Sequence, residues 1–262
     1  MPASFVSQRF GQLEYFDRQL GRPAWRGKSV LDFGGNAGNL LRHARGRIAP
    51  SRYCAIDVSR DAVAAGRRTY PEATFLFYDR HHPTFNPGGI PELAPPDPGR
   101  RFDVVLAFSV FTHLGGDELR QLIPRLASFL VPGGVLAFTF FDPHHRPSPA
   151  GPEVNVLGWR LGAIGTPAAV RRHLERRARG ARCCAVVDRR RLFRDEEPMP
   201  PWVAGRPVPY LTFFTSAYLA ELFPGATITA DPSGHHCCRL PRGAGGASVT
   251  LNPGGEAGMV RP

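Results

Sequence analysis

The chain has almost no lysine, although it is strongly basic. Lys28 is the only lysine among 33 basic residues, and with 22 acidic residues the net charge is +11. Such a charge is typical of proteins that bind nucleic acids or acidic partners. A protein selected only to bind phosphate has little reason to avoid lysine, so the excess of arginine indicates biased codon usage. The composition therefore argues against a nucleic-acid partner.

The cysteines form neither a disulfide framework nor a zinc signature. There are five of them, two pairs are sequence neighbours, and no CxxC spacing occurs. We therefore expect buried free thiols. No apolar run approaches the roughly 20 residues that a membrane span requires, and the N-terminus shows no basic-then-apolar leader pattern. These absences predict a cytoplasmic protein that does not contact a membrane.

Strand and helix patterns alternate through the first half of the chain. Pro124 predicts a kink or a break in a helix over 116–130, and Pro132 opens a predicted tight turn. Nearly continuous apolar strands between helices predict an α/β fold, a doubly wound, mostly parallel sheet covered on both faces. The five apolar runs that predict these strands are 29–33, 53–58, 73–78, 102–108 and 135–141.

Composition shifts divide the chain into five predicted segments. A helix over 4–20 begins the chain, Thr215 or Ser216 caps a later helix, and a hairpin surrounds 183–193. The segments are an N-terminal helical cap at 1–27, the core at 28–142, an inserted lid at 143–212, the last helix and two strands of the core at 213–240, and a disordered tail at 241–262.

A glycine-rich loop follows the first predicted strand. Ligands of a doubly wound sheet bind at the carboxyl ends of its strands, and LDFGGNAGN over 31–39 lies at such an end. Glycine permits close approach of the backbone to a ligand, and Asn36 tolerates a left-handed conformation. A carboxylate at Asp32 would repel a pyrophosphate. It suits a cationic ligand, such as the amino group of a bound amino acid.

Two further carboxylates end the second and third predicted strands. Asp57, which lies 23 residues after Gly34, is placed to accept hydrogen bonds from two ribose hydroxyls; its alternative role is a helix cap. Asp79 can accept a hydrogen bond from an adenine amino group while its aromatic neighbours pack on the ring. Alternatively, Asp79 is a loop aspartate that contacts no ligand. The segment 108–113, after the fourth strand, would line the floor of the site.

Together these motifs resemble the class I S-adenosylmethionine-dependent methyltransferase family. The matching pieces are SVLDFGGNAG, AIDVS, FLFYD, FDVVLAFSVFTHL and RLASFLVPGGVLAFTF, with looser matches in YLAELFPGATIT and HHCCRL. The resemblance implies a Rossmann-like sheet of seven strands whose last strand is antiparallel, with a lid inserted after strand five. It also implies S-adenosylmethionine as cofactor. One residue departs from the family, since Asn36 replaces its usual middle glycine.

The resemblance implies that the loop contacts the methionine part of the cofactor, Asp57 the ribose and Asp79 the adenine. The expected cofactor-binding residues are Asp32, Gly34, Gly35, Asn36, Asn39, Asp57, Val58, Tyr78, Asp79, Phe108 and Ser109.

The acceptor site is less well marked. Strand four ends without a carboxylate, so we expect no metal, and neither a Pro-Pro-aromatic run nor a Pro-Cys pair points to DNA methylation. We predict that His113 or His145 is the general base, oriented by Asp142; alternatively, these histidines have only structural roles in loops. Tyr15 and Phe16 on the first helix, with Asn155, Trp159 and Arg160 in the lid, are expected to contact the acceptor.

The sequence thus predicts methyl transfer to an oxygen or nitrogen of a small molecule or peptide, as in natural-product tailoring. An NAD(P)-dependent oxidoreductase is an alternative, but Asp32 disfavours a pyrophosphate in the glycine loop. An RNA methyltransferase and a non-catalytic binding module are further alternatives. The oligomeric state is left open.

Overall fold

The computed structural model describes residues 11–82, 85–142, 183–187, 191–194, 211–231 and 235–243. Within them the helices are α1 (Gln12–Gln19), α2 (Asn39–Ala44), α3 (Arg60–Thr69), α4 (Gly116–Ser128) and α5 (Ser216–Leu222). The strands are β1 (Val30–Phe33), β2 (Tyr53–Asp57), β3 (Thr74–Phe77), β4 (Phe102–Ala107), β5 (Leu130–Phe140), β6 (Cys183–Val187), β7 (Arg191–Arg194), β8 (Leu211–Phe214), β9 (Thr227–Ala230) and β10 (His236–Pro241). Single turns of 3-10 helix lie at Pro50–Arg52 and Phe111–His113.

Seven of these strands form one sheet in the order β3-β2-β1-β4-β5-β10-β9. Strands β1 to β5 are parallel, and β10 is antiparallel to both β5 and β9. The predicted seven-stranded, doubly wound sheet with an antiparallel last strand is therefore confirmed. The strand order reverses between β1 and β4, which places the ligand-binding crevice above their carboxyl ends.

The sheet is buried on both faces because its central strands β1 and β2 are apolar apart from Asp32 and Asp57 near their carboxyl ends. Every residue of β1 and β2 is buried. Leu31 and Val105 belong to the core on one face, whereas Val30 and Val104 belong to the core on the other. Among the described cysteines, Cys54, Cys237 and Cys238 are buried and free, as expected.

Helix starts follow their predicted caps. The Ser59 side chain accepts a hydrogen bond from the Ala62 N–H at 3.2 Å and begins α3. The Thr215 hydroxyl accepts from the Tyr218 N–H at 3.1 Å and begins α5, so Thr215 is the cap of the two residues considered. No helix of the described residues is long and apolar enough to cross a membrane.

Two prolines lie inside regular elements. Helix α4 continues through Pro124, so the predicted break does not occur there. The predicted turn at Pro132 is a bulge within β5: Leu130 pairs with Phe102 and Val135 with Val104, so four residues of β5 lie opposite one of β4. Gly133 in this bulge donates to the carbonyl of Arg242 at 3.1 Å, and Arg242 donates to that of Gly134 at 2.8 Å. These bonds to the chain after β10 extend the antiparallel pairing, so the segment from residue 241 begins as part of the sheet.

Part of the inserted segment forms a separate sheet of three strands in the order β7-β6-β8. Strands β6 and β7 form the predicted antiparallel hairpin, while β8, which pairs with β6, was not predicted. The N–H of Phe214 donates to the carbonyl of Phe141 at 2.9 Å, which ties β8 to the end of β5. Residues 1–10, most of 143–210 and the tail from 244 lie outside the described residues.

Candidate active site

The glycine loop begins at Gly34, where the chain leaves β1. Gly34 has φ +75° and is exposed, and its N–H donates to the Ile56 carbonyl at 2.8 Å. A Cβ at this position would lie 2.3 Å from Cγ2 of Val110. The site therefore requires glycine for both conformation and space, and bare backbone faces the crevice there.

Asn36 adopts the left-handed conformation that the sequence predicts, with φ +52°. Its N–H donates to Oδ2 of Asp57 at 2.7 Å, and its own Oδ1 accepts from the N–H of Ala37 at 2.7 Å. Asparagine tolerates this backbone region because its short amide bonds locally. These contacts explain how the loop accommodates a residue other than the family's glycine.

Asp57 connects the loop to the start of α3. Its Oδ1 accepts from the Ser59 N–H at 2.8 Å, while Oδ2 accepts from Asn36. Burial raises the pKa of Asp57 above its ordinary value, and the backbone hydrogen bonds oppose that shift. The helix cap itself is Ser59, so the alternative role of Asp57 as cap is wrong.

Asp32 lies beneath the loop, with 2% of its surface exposed. Its Oδ2 accepts a hydrogen bond from the Tyr53 hydroxyl at 2.6 Å and lies 2.9 Å from the position of a Cβ on Gly35. Burial raises the pKa of Asp32 to about 7, the hydrogen bond from Tyr53 opposes this rise, and the nearby Asp57 adds to it. Asp32 is thus a carboxylate whose charge depends on its immediate partners.

Tyr53 was missed by the sequence analysis, although a signal existed. Asp32 pairs with Ala55 across the parallel ladder, and side chains two residues apart share a sheet face. Tyr53, which opens β2, is therefore on the same face as Asp32, where a buried carboxylate needs a donor.

Asp79 and Tyr78 have structural partners of their own. Oδ1 of Asp79 accepts from the Asn86 amide at 3.0 Å, which holds the following loop. Tyr78 is 2% exposed, its hydroxyl donates to the Leu93 carbonyl, and its ring lies 5.9 Å from that of Phe33. Since this side chain belongs to the core, the prediction that Tyr78 packs on a ligand ring is not supported.

The remaining predicted cofactor residues surround the same edge. Val58 is half-buried after β2, and Asn39 opens α2, where its Oδ1 accepts from Arg42 at 3.2 Å. Phe108 and Ser109 follow β4, and Gly35 lies over Asp32. The predicted residues thus end or follow the parallel strands β1 to β4, and the Tyr78 side chain packs in the core.

Ser109 is strained where β4 enters the site. It has φ +58°, although it is not glycine. Its N–H donates to the Thr139 hydroxyl at 2.7 Å, and its own hydroxyl lies 3.1 Å from that of Thr112. Such backbone outliers cost about 1–3 kcal/mol and cluster at functional sites.

Helix α1 covers the other side of Phe108. The rings of Tyr15 and Phe16 lie 5.5 and 6.0 Å from that of Phe108, and Phe16 is fully buried. The predicted acceptor contact of Phe16 is therefore replaced by packing in the core. Tyr15 is also buried but carries a hydroxyl, which is considered below.

Three histidines lie at this edge: His82 follows β3, His113 follows β4 and His235 precedes β10. Burial lowers the pKa of both His82 and His235, and the charge of the half-buried His113 acts in the same direction. The described residues contain no group of three His, Cys, Asp or Glu side chains placed to hold a metal ion.

Asp142 has a defined structural contact. Its Oδ2 accepts from the Ser216 N–H at 2.9 Å and from the Ser216 hydroxyl, which holds the start of α5. Its predicted partner His145 lies outside the described residues, as do Asn155, Trp159 and Arg160.

Comparison with known proteins identifies the core. A family model described as a methyltransferase domain matches residues 31–136. Trans-aconitate 2-methyltransferase of Paracidovorax citrulli is 35% identical over 144 residues, which are 54% of this chain and 50% of that protein. The same enzyme of Delftia acidovorans is 34% identical over 120 residues, 46% of this chain and 40% of that protein. The chain thus spans about half the length, or less, of these curated relatives.

A solved structure shows the same fold over a longer stretch. The DhpI-SAM-HEP complex superposes with a TM-score of 0.51 at 18% identity, covering 91% of this chain and 92% of that one. This likeness confirms the expected fold, and the family match lies within the segment that carries most of the sequence motifs.

Proposed function

We propose that this chain, whose residues 31–136 match the family model of a methyltransferase domain, transfers a methyl group from S-adenosylmethionine to an oxygen or nitrogen of a small-molecule acceptor. The observation that carries the proposal is the pair of carboxylates around the glycine loop. Asp32 and Asp57 lie below and beside bare backbone at the strand-order reversal. Two carboxylates suit a cationic cofactor and would repel a pyrophosphate.

The residues present fit this cofactor. Gly34 exposes backbone where a side chain has no room, Asp32 supplies a carboxylate for an ammonium group, and Asp57 ends β2 where ribose hydroxyls would bind. When bound, S-adenosylmethionine supplies an activated methyl group. The chain's own residues would hold and orient the acceptor beside it, an effect worth up to about 7–11 kcal/mol in well-oriented reactions.

His113 is the described candidate for a general base. It lies in the turn after β4, half-buried and close to His82 and His235. A hydroxyl acceptor would need such a base, whereas an amine that is already neutral would not. His145 with Asp142 remains the second candidate, and tailoring of a natural product or peptide remains our proposed setting.

A carboxylate acceptor is the second candidate function. The curated relatives are named for trans-aconitate methylation, and a net charge of +11 would attract an acidic molecule. Trans-aconitate therefore belongs in the acceptor panel beside uncharged hydroxyl and amine compounds.

Calorimetry with S-adenosylhomocysteine and with NADH tests the cofactor. We expect S-adenosylhomocysteine alone to bind, and Asp32→Ala to abolish that binding while circular dichroism stays unchanged. Asp103→Ala is the matched control, because Asp103 accepts from the Ser29 N–H at 2.8 Å at the opposite edge of the sheet. Tight binding by Asp32→Ala, or binding of NADH alone, would overturn the assignment.

A further inference from the structure

Two buried polar atoms have no hydrogen-bond partner beside the proposed methyl-transfer site. They are the hydroxyl of Tyr15 and Nε2 of His235, and within the described part of the chain neither is satisfied. Tyr15 is 3% exposed and His235 is 1% exposed. Buried polar side chains are nearly always paired, and an unpaired one destabilises the fold by about 1–3 kcal/mol. Their retention therefore needs an explanation.

Both atoms belong to one aromatic wall. The His235 ring lies 5.0 Å from Phe108, 4.7 Å from Phe141 and 6.3 Å from Tyr15. Phe108 follows β4 directly, and His236, the next residue after His235, pairs with Phe140 at the end of β5. The wall therefore lies at the carboxyl edge of the sheet, where this fold binds its ligands.

The wall presents uncharged polar groups. Burial raises the pKa of Tyr15 well above its ordinary value, so the hydroxyl keeps its proton. Burial lowers the pKa of His235 to about 4, with His236 and His113 acting in the same direction and Asp231 opposing. A neutral imidazole has one donor and one acceptor nitrogen, so the wall both donates and accepts.

No free cation faces these two atoms among the described residues. Arg18, which influences Tyr15, forms a 3.2 Å ion pair with Asp231, and Gln19 donates to the same carboxylate at 3.1 Å. A carboxylate buried against the wall would find no free cationic partner among the described residues, and an unpaired buried charge is costly. A hydroxyl or carbonyl oxygen would satisfy both atoms without bringing a charge.

We infer that Tyr15 and His235 bind an uncharged oxygen group, a hydroxyl or carbonyl, on an aromatic or otherwise apolar acceptor. The inference rests on the proposed methyltransferase function and narrows it, because it favours a neutral oxygen group over a carboxylate at this wall. Phe108 and Phe141 supply the apolar surface, and the two polar atoms fix the orientation. Tyr15 and His235 are thus specificity-determining residues.

Phenol, which carries a hydroxyl, and benzoate, which carries a carboxylate, distinguish a neutral oxygen acceptor from a charged one. The full chain, labelled with 15N-histidine and saturated with S-adenosylhomocysteine, is titrated with each compound, and His235→Phe assigns the His235 signal by its loss. We expect phenol to shift that signal and benzoate to leave it unchanged. An unchanged signal with phenol, or an equal shift with benzoate, overturns the inference.

Tyr15→Phe separates a binding role from a structural one. Loss of one hydrogen bond should raise the Kd for phenol about five- to tenfold, while the thermal midpoint stays the same or rises because an unpaired hydroxyl has been removed. Tyr218→Phe is the matched control: its hydroxyl accepts from Arg120 at 2.6 Å, so the midpoint should fall and phenol binding should not change. If the thermal midpoint of Tyr15→Phe falls as far as that of Tyr218→Phe, the Tyr15 hydroxyl is already hydrogen-bonded in the free protein, for example to a bridging water. That result overturns the inference.

The same titration without S-adenosylhomocysteine keeps the two proposals apart. If S-adenosylhomocysteine does not bind, the proposed function fails whatever phenol does. If it binds and phenol does not reach His235, only the present inference fails.

Discussion

The two halves of the crevice treat their buried polar groups in opposite ways. On the glycine-loop side, Asp57 accepts two backbone hydrogen bonds and Asp32 accepts one from Tyr53. On the α1 side, the Tyr15 hydroxyl and Nε2 of His235 have no partner within the described residues. The carboxylates of the first half have hydrogen-bond partners, whereas the second half contains two polar atoms that no described residue satisfies. Four substitutions test this difference.

Gly34→Ala should have the largest effect on the loop side. The new Cβ would lie 2.3 Å from Cγ2 of Val110, and the alanine would have to keep φ +75°. We expect the substitution to lower the free energy of unfolding by about 3 kcal/mol and to prevent S-adenosylhomocysteine binding. Urea titration and calorimetry measure both.

Gly21→Ala is the control for that change. Gly21 has φ +72°, yet nothing lies within 4 Å of its Cβ position, so its substitution introduces only the conformational strain, about 1 kcal/mol. Equal losses for the two variants would show that the contact with Val110 is unimportant.

His235→Phe should change the pH dependence of stability on the α1 side. The pKa of His235 falls from 6.5 to about 4 on folding, so the unfolded chain binds more protons between these values, and stability decreases as the pH falls through this window. We expect this histidine to account for about 2 kcal/mol of the decrease in the free energy of unfolding between pH 7 and pH 5. The variant should lose less stability on acidification in urea titrations.

His82→Phe is the comparison, because the pKa of His82 is also lowered to about 4 but the residue is only half-buried. Since an equal shift of the pKa gives an equal proton linkage, its substitution should change the acid dependence by a similar amount. A much smaller change in either variant would show that the pKa of that histidine is not lowered in the folded chain.

Tyr53→Phe should lower the free energy of unfolding by about 1.5 kcal/mol, because it removes the hydrogen bond to the Asp32 carboxylate on the glycine-loop side. That bond lowers the pKa of Asp32, which burial has raised to about 7, so its loss should raise this pKa further. Binding of S-adenosylhomocysteine should weaken at pH 7 and recover as the pH rises. Calorimetry across pH 6–9 checks this; a pH-independent loss would mean that Tyr53 acts only through packing.

Ser109→Gly should have the smallest effect, and in the opposite direction. Glycine relieves the strain at φ +58°, so we expect a gain in stability of up to about 1 kcal/mol. The variant loses the hydroxyl contact with Thr112 but keeps the backbone N–H that donates to Thr139. Thermal unfolding measures the gain. A loss of stability would show that the contact with Thr112 outweighs the strain.

The loop side could be predicted from sequence because its determinants are local. Apolar runs fixed the strands, and Gly34, Asn36 and Asp57 follow strand ends at recognisable spacings. Their positions at the carboxyl edge follow from the parallel sheet, and the left-handed conformation of Asn36 follows from its chemistry.

The α1 side could not be predicted because its contacts join distant parts of the chain. Tyr15 and His235 meet through Phe108, and no local pattern indicates that pairing. The burial of Tyr78 and Phe16 was missed for the same reason, since an aromatic residue after a strand or on an amphipathic helix suits either core or ligand. Strand β8 was overlooked because it is short and pairs with a hairpin about 25 residues earlier.

Two hydrogen bonds join the chain before the inserted segment to the chain after it. The Ser216 N–H donates to Asp142, and the Phe214 N–H donates to the carbonyl of Phe141. The chain between these residues, which includes β6, β7 and β8, is therefore fixed to the core at both of its ends. The entropic cost of closing a flexible connection grows slowly, by about 0.6 kcal/mol for each doubling of its length. We therefore expect changes in the length of this segment to cost the core little stability.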